Sequence, residues 1–141
     1  MTNIGSRAGL LAAPLVALAV ACAHDSSWKM NARVLSRAPE ARDASGLRPV
    51  SDATVAVECP QGGTREIGRT DSGGELRVDE AGSLPLSCNL IVSQPGYRPA
   101  RFAVANSCVE QSGSSCHVVD VRTVLAPATT SGASADVAKT Q

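Results

Sequence analysis

The sequence predicts an all-β fold, a sandwich of short strands, and three observations predict it. Apolar residues recur with a period of two in runs of three to five, the spacing that puts them on one face of a strand. Clusters of Gly, Pro, Asp and Ser separate the runs and supply turn chemistry. No stretch beyond the N-terminal leader shows a convincing helical pattern. With 43% hydrophobic residues and only 2% aromatic among 141, the core must be thin and aliphatic, built from Val, Leu and Ala. That length fits one domain.

The chain opens on a segment that is not part of the sandwich. Arg7 is the only charge before residue 24, and Ala8 to Ala23 runs without another. A spanning helix needs about 20 apolar residues to cross the hydrocarbon core. This run is shorter, carries Pro14 and ends in small residues, the shape of a secretory signal peptide. Its last residues, Ala19-Val20-Ala21-Cys22, resemble the lipobox of bacterial lipoproteins, although Ala19 stands where that pattern usually has Leu. The resemblance implies cleavage before Cys22, thioether-linked diacylglycerol (palmitate among its acyl chains) on that cysteine, and permanent attachment through two or more chains, where one gives only marginal membrane binding. Ala23, not Asp, follows the cysteine, which implies an outer-membrane destination in the cell envelope. Ala21-Cys22-Ala23 also fits an ordinary signal-peptidase site, which would discard Cys22. The expected divisions are a lipoprotein signal peptide over 1–21, a tether over 22–28, a β-sandwich over 29–126 and a disordered tail over 127–141.

Five cysteines stand at 22, 59, 88, 108 and 116. With Cys22 acylated or removed, four remain in an oxidising compartment, so two disulfides are expected. Val55, Val57 and Cys59 share one strand face, as do Cys88, Leu90 and Val92. Both cysteines therefore point into the core, and Cys59–Cys88 is the expected bridge, tying non-adjacent strands. Cys108 and Cys116 bracket a polar loop and should clip its exposed tip. No C-x₂-C pair offers a zinc site, His24 and His117 are far apart, and no metal or other cofactor is expected.

The strands follow in order. Met30 to Val34, Val55 to Cys59, Leu76 to Val78, Cys88 to Val92, Phe102 to Val104 and Val119 to Arg122 all alternate, and Arg65 to Arg69 reads as an edge strand. Turns are marked by Gly46 with Pro49, Pro60 to Gly63, Asp71 to Gly74, and Pro95-Gly96. In the third of these, Asp71 can accept a bond from its own backbone two residues on while a glycine supplies positive φ, giving a tight hairpin.

Three motifs in this order carry a resemblance. Pro49-Val50-Ser51-Asp52-Ala53-Thr54-Val55 has the form P-V-x-x-A-x-V. Thr70 to Val78 has the form T-D-x-x-G-x-φ-x-φ, and Leu90 to Tyr97 the form φ-x-V-x-x-x-G-Y. Together they are similar to the carboxypeptidase regulatory-like family, over about residues 29 to 126. That resemblance implies a seven-stranded antiparallel Greek-key sandwich, transthyretin-like, and an accessory role beside other proteins.

Equal numbers of basic and acidic residues, 13 each, and three aromatic side chains argue against a nucleic-acid partner, which needs clustered cations and stacking platforms. No convincing nucleophile–base set is present, so no enzyme is expected. The function expected is that of a non-catalytic, lipid-anchored envelope module with a protein or polysaccharide partner. Two alternatives come from the fold and the charges. One is a transthyretin-like hydrolase such as 5-hydroxyisourate hydrolase, whose C-terminal Tyr-Arg-Gly-Ser is not matched by the terminal Ala-Lys-Thr-Gln here. The other is a small acidic-ligand binder using Arg65, Arg69 and Arg77, projecting together from neighbouring strands; the competing reading pairs them with Glu66, Glu75 and Asp79.

Overall fold

In the computed structural model the described residues are 26–37 and 46–128. The expected signal peptide, Cys22, His24 and the tail beyond 128 lie outside them. The described chain forms, in order, β1 (Ser27–Arg37), β2 (Leu47–Pro49), β3 (Thr54–Cys59), β4 (Gly63–Arg69), β5 (Glu75–Ala81), β6 (Leu84–Pro85), β7 (Asn89–Ser93), β8 (Ala100–Ala103), α1 (Val104–Ser107), β9 (Cys108–Ser112) and β10 (Ser115–Leu125).

Two sheets face each other across one core. The first is antiparallel throughout, in the order β4-β3-β7-β8. The second is mixed: β1 and β10 lie side by side and parallel, Lys29 opposite Val118 through to Ser36 opposite Leu125. On the other side of β1 lie β5 along its first half and β2 at its end, both antiparallel. The start of β10 is flanked by β9 and β6.

Each expected strand lies within or overlaps one of seven of these elements (β1, β3, β4, β5, β7, β8 and β10). The expectation of seven strands, all antiparallel, needs two corrections. Three further strands appear, of three, two and five residues, too short or too polar to show alternation. The first and last strands run in the same direction, because a period of two fixes a strand's faces and carries no information about its partner's direction. Val104, expected to end a strand, opens the single helical turn.

The core collects the inward positions of both sheets. Met30, Ala32 and Val34 from β1 meet Val119, Val121 and Leu125 from β10, and Val55, Val57, Leu90 and Val92 close it from the antiparallel sheet. Trp28 belongs here too, only 2% exposed. The expected tether through residue 28 therefore ends earlier, since β1 starts at Ser27. The other boundary also shifts. Pro127 bridges Tyr97, Arg98 N–H donates to the Ala126 carbonyl, and Ala128 N–H donates to that of Gly96.

Two of the three motifs are joined by one buried hydroxyl. Thr70, just past β4, donates from Oγ1 to the Val50 carbonyl at 2.7 Å and accepts from Ala53 N–H at 2.9 Å. Its own backbone bonds Ala53 and Asp52. Asp71 Oδ1 then accepts from Gly73 N–H and Glu75 N–H at 2.8 and 2.9 Å, the expected side-chain turn. The expected hairpin does not form there: β4 and β5 pair with different neighbours, so the turn is a corner between the sheets. Gly74 occupies it with φ +73°, and a Cβ at that position would stand 2.4 Å from the Val34 carbonyl oxygen. Only glycine fits this corner.

Candidate functional site

Both cysteine pairs form as expected. Cys59, at the end of β3, bonds Cys88, the residue before β7, with Cα atoms 4.3 Å apart. The expectation that this bridge joins non-adjacent strands is corrected: β3 and β7 are neighbours, Glu58 opposite Asn89, and the bond is the next rung of that ladder. Alternation placed both cysteines inward correctly but could not tell a rung from a link between sheets. Cys108–Cys116, with Cα atoms 5.7 Å apart, does not clip a loose loop. The intervening polar residues form the β9–β10 hairpin, and Cys116 is wholly buried.

The three arginines singled out from the sequence do not gather. In β4, residue 67 is a bulge: Val55 stands opposite Gly68 and Ala56 opposite Glu66. The bulge reverses the alternation, leaving Arg65 opposite core-facing Val57 and Arg69 opposite Thr54 on the other face. Arg77 lies on β5, in the other sheet. Each has an acid at hand. Arg65 forms a bidentate pair with Glu80 of β5, at 3.2 and 2.8 Å, across the open edge where the two sheets end. That hydrogen-bonded contact, with the guanidinium charge, holds the Glu80 carboxyl below its ordinary range and raises Arg65 in turn. Arg69 meets Glu66 at 3.1 Å and Asp52 at 3.4 Å, bonds that raise its pKa. Arg77 lies 3.7 Å from Glu75. Inward-aimed charges on β4 and β5 also blunt two edge strands against pairing with other chains.

A different group of polar side chains does converge, on the outer face of the mixed sheet. A shallow concavity of about 420 Å³ is lined by Asn31 and Arg33 of β1, Glu75 and Arg77 of β5, and Asp120 and Arg122 of β10. Register explains the grouping: Asn31 is flanked by Arg77 and Asp120, and Arg33 by Glu75 and Arg122. Arg122 reaches Asp120 at 3.4 Å. The sequence shows five of these residues at a polar position of an alternating strand, and Glu75 just before one. What it does not show is that the first and last strands are neighbours.

His117 is half-buried, its Nδ1 3.3 Å from the Ser27 carbonyl. Among the described residues no three His, Cys, Asp or Glu side chains group as a metal site, and no helix is long and apolar enough to cross a membrane. No protein-family model matches the sequence, and no curated protein matches it.

Proposed function

We propose that the chain is a non-catalytic, lipid-anchored module of a bacterial cell envelope, a β-sandwich on the carboxypeptidase regulatory-like plan that acts beside a protein or glycan partner. One observation carries the reading. Of the five cysteines, the four within the domain bond one another, which leaves Cys22, at the end of the apolar leader, with no thiol partner in the domain. Paired thiols belong to oxidising compartments, and a lone cysteine after Ala19-Val20-Ala21 is the acceptor that lipid attachment needs. The family plan draws support from Thr70, which binds the P-V-x-x-A-x-V segment to the T-D-x-x-G turn.

The test is metabolic labelling with a clickable palmitate followed by fractionation. Wild-type protein takes up label and sediments with membranes, and Cys22→Ser releases it unlabelled. Wild-type protein that stays unlabelled in the periplasm refutes the anchor. Turnover of 5-hydroxyisourate by the purified protein, lost in His117→Ala, refutes the non-catalytic role.

A further inference from the structure

We propose that the outer face of the mixed sheet is a receptor for a carboxylate carrying a short aliphatic arm, held by Arg33 and Arg122. The proposal names a ligand class for the binding role proposed above and rests on that role.

The register carries the argument. Arg33 and Arg122 stand directly opposite each other on adjacent strands, on the solvent face. Such strands lie roughly 4.8 Å apart, and like charges directly opposite are unfavourable. Arg122 has Asp120, but only in an exposed pair, with the arginine side chain 80% accessible, and exposed pairs contribute little. Arg33 makes no ion pair or side-chain hydrogen bond among the described residues, although Glu75 sits beside it in register. Two adjacent planar donor groups, one of them without an acid, suit the two oxygens of a single carboxylate.

The surroundings define the rest of the ligand. One side of the arginine pair is the concavity of about 420 Å³, where Asn31 adds an amide. On the other side a second hollow, of about 230 Å³, is bounded by Arg33, Leu35, Arg122, Thr123 and Val124. The two hollows share the arginines, and Val124 is 46% exposed. Leu35 and Val124 face each other one step along the same face, roughly 7 Å from the guanidinium row. A branched chain of four or five carbons spans that distance. No aromatic side chain lines either hollow, which argues against a stacked sugar ring. The matching chemistry occurs in free branched-chain acids and in peptide C-termini that end in an aliphatic residue.

Isothermal titration and saturation-transfer NMR on the intact purified protein test this with three probes: 4-methylpentanoate, the peptide Ala-Ala-Leu with a free C-terminus, and the same peptide amidated. The free acids should bind with Kd on the order of 1 mM, with saturation on their methyl groups. Tighter binding of the peptide points to a chain terminus as the natural ligand, and equal binding to a free acid. Arg33→Gln should weaken binding about tenfold or more, whereas Arg65→Gln, on β4 of the other sheet, leaves it unchanged. Arg33 is exposed, and an unchanged urea midpoint confirms that its variant is folded. Equal binding of the amidated peptide, an unaffected Arg33→Gln protein, or no binding of either acid up to about 20 mM overturns the proposal. The measurement needs no membrane, so its failure leaves the lipid anchor standing, and loss of the anchor leaves this site standing.

Discussion

Thr70 is the position where one oxygen atom decides the most. Its hydroxyl is buried, with the residue 5% exposed, and serves two backbone groups that have no alternative partner, the Ala53 N–H and the Val50 carbonyl. Thr70→Val keeps the branched shape and removes the oxygen. Leaving two buried backbone groups unmet costs about 1–3 kcal/mol each, and the added methyl returns roughly 0.8 kcal/mol. The expected loss is about 3 kcal/mol, or roughly 12–24 °C in Tm for a domain of this size. Thr70→Ser retains both bonds and should lose only about 1 kcal/mol. Urea titrations followed by circular dichroism, with both disulfides intact, measure the three proteins. A valine variant within about 1 kcal/mol of wild type, or a serine variant no better than valine, refutes the assignment of Thr70 as the joint between the two segments.

Gly74→Ala should cost at least twice as much as Gly113→Ala. Both glycines have positive φ, worth about 1–2 kcal/mol, but only at position 74 does the new Cβ strike backbone; equal Tm losses would contradict this. Replacing Cys59 and Cys88 by Ala should destabilise more than replacing Cys108 and Cys116. The bridges span 29 and 8 residues, a difference of about 1 kcal/mol in loop entropy, while burial is alike, each joining one buried and one half-buried cysteine; paired denaturation curves decide it. Because Arg65 depresses the Glu80 carboxyl, its stabilising contribution is present above about pH 4.3, the unfolded value, and fades as the pH falls through the lower folded value. Glu80→Gln should flatten that acid limb by less than about 1 kcal/mol, and an unchanged pH profile would argue against the pair.

The parts legible in the sequence were those that depend on a residue's own face. Val55, Val57, Leu90 and Val92 alternate, and all four are buried, with Cys88 buried beside them and Cys59 half-buried against them. Asp71 and its glycines announce a turn, and the turn forms. Legibility stopped where a fact belongs to a pair of strands. The bulge at Ile67 separates Arg65 from Arg69, yet nothing in Arg65-Glu66-Ile67-Gly68-Arg69 marks an extra residue. Arg33 and Arg122 are 89 positions apart and become neighbours only because the first strand lies beside the last. Trp28 looked like tether because it stands among polar residues, but its indole fills the end of a core short of aromatic volume.

The parallel pairing of β1 with β10 also fixes how the domain carries mechanical load. The chain enters the sheet at Ser27 and leaves it at Leu125, at opposite ends of a seam eight residue pairs long, roughly 26 Å. Tension applied between these points pulls the two strands lengthwise past each other, so the evenly spaced hydrogen bonds of a parallel ladder bear it together and cannot open one at a time. Neither disulfide crosses this seam: one lies within the antiparallel sheet and the other within the β9–β10 hairpin. Neither bridge therefore shares this load, and a single-molecule pulling trace should keep the same first rupture force after reduction.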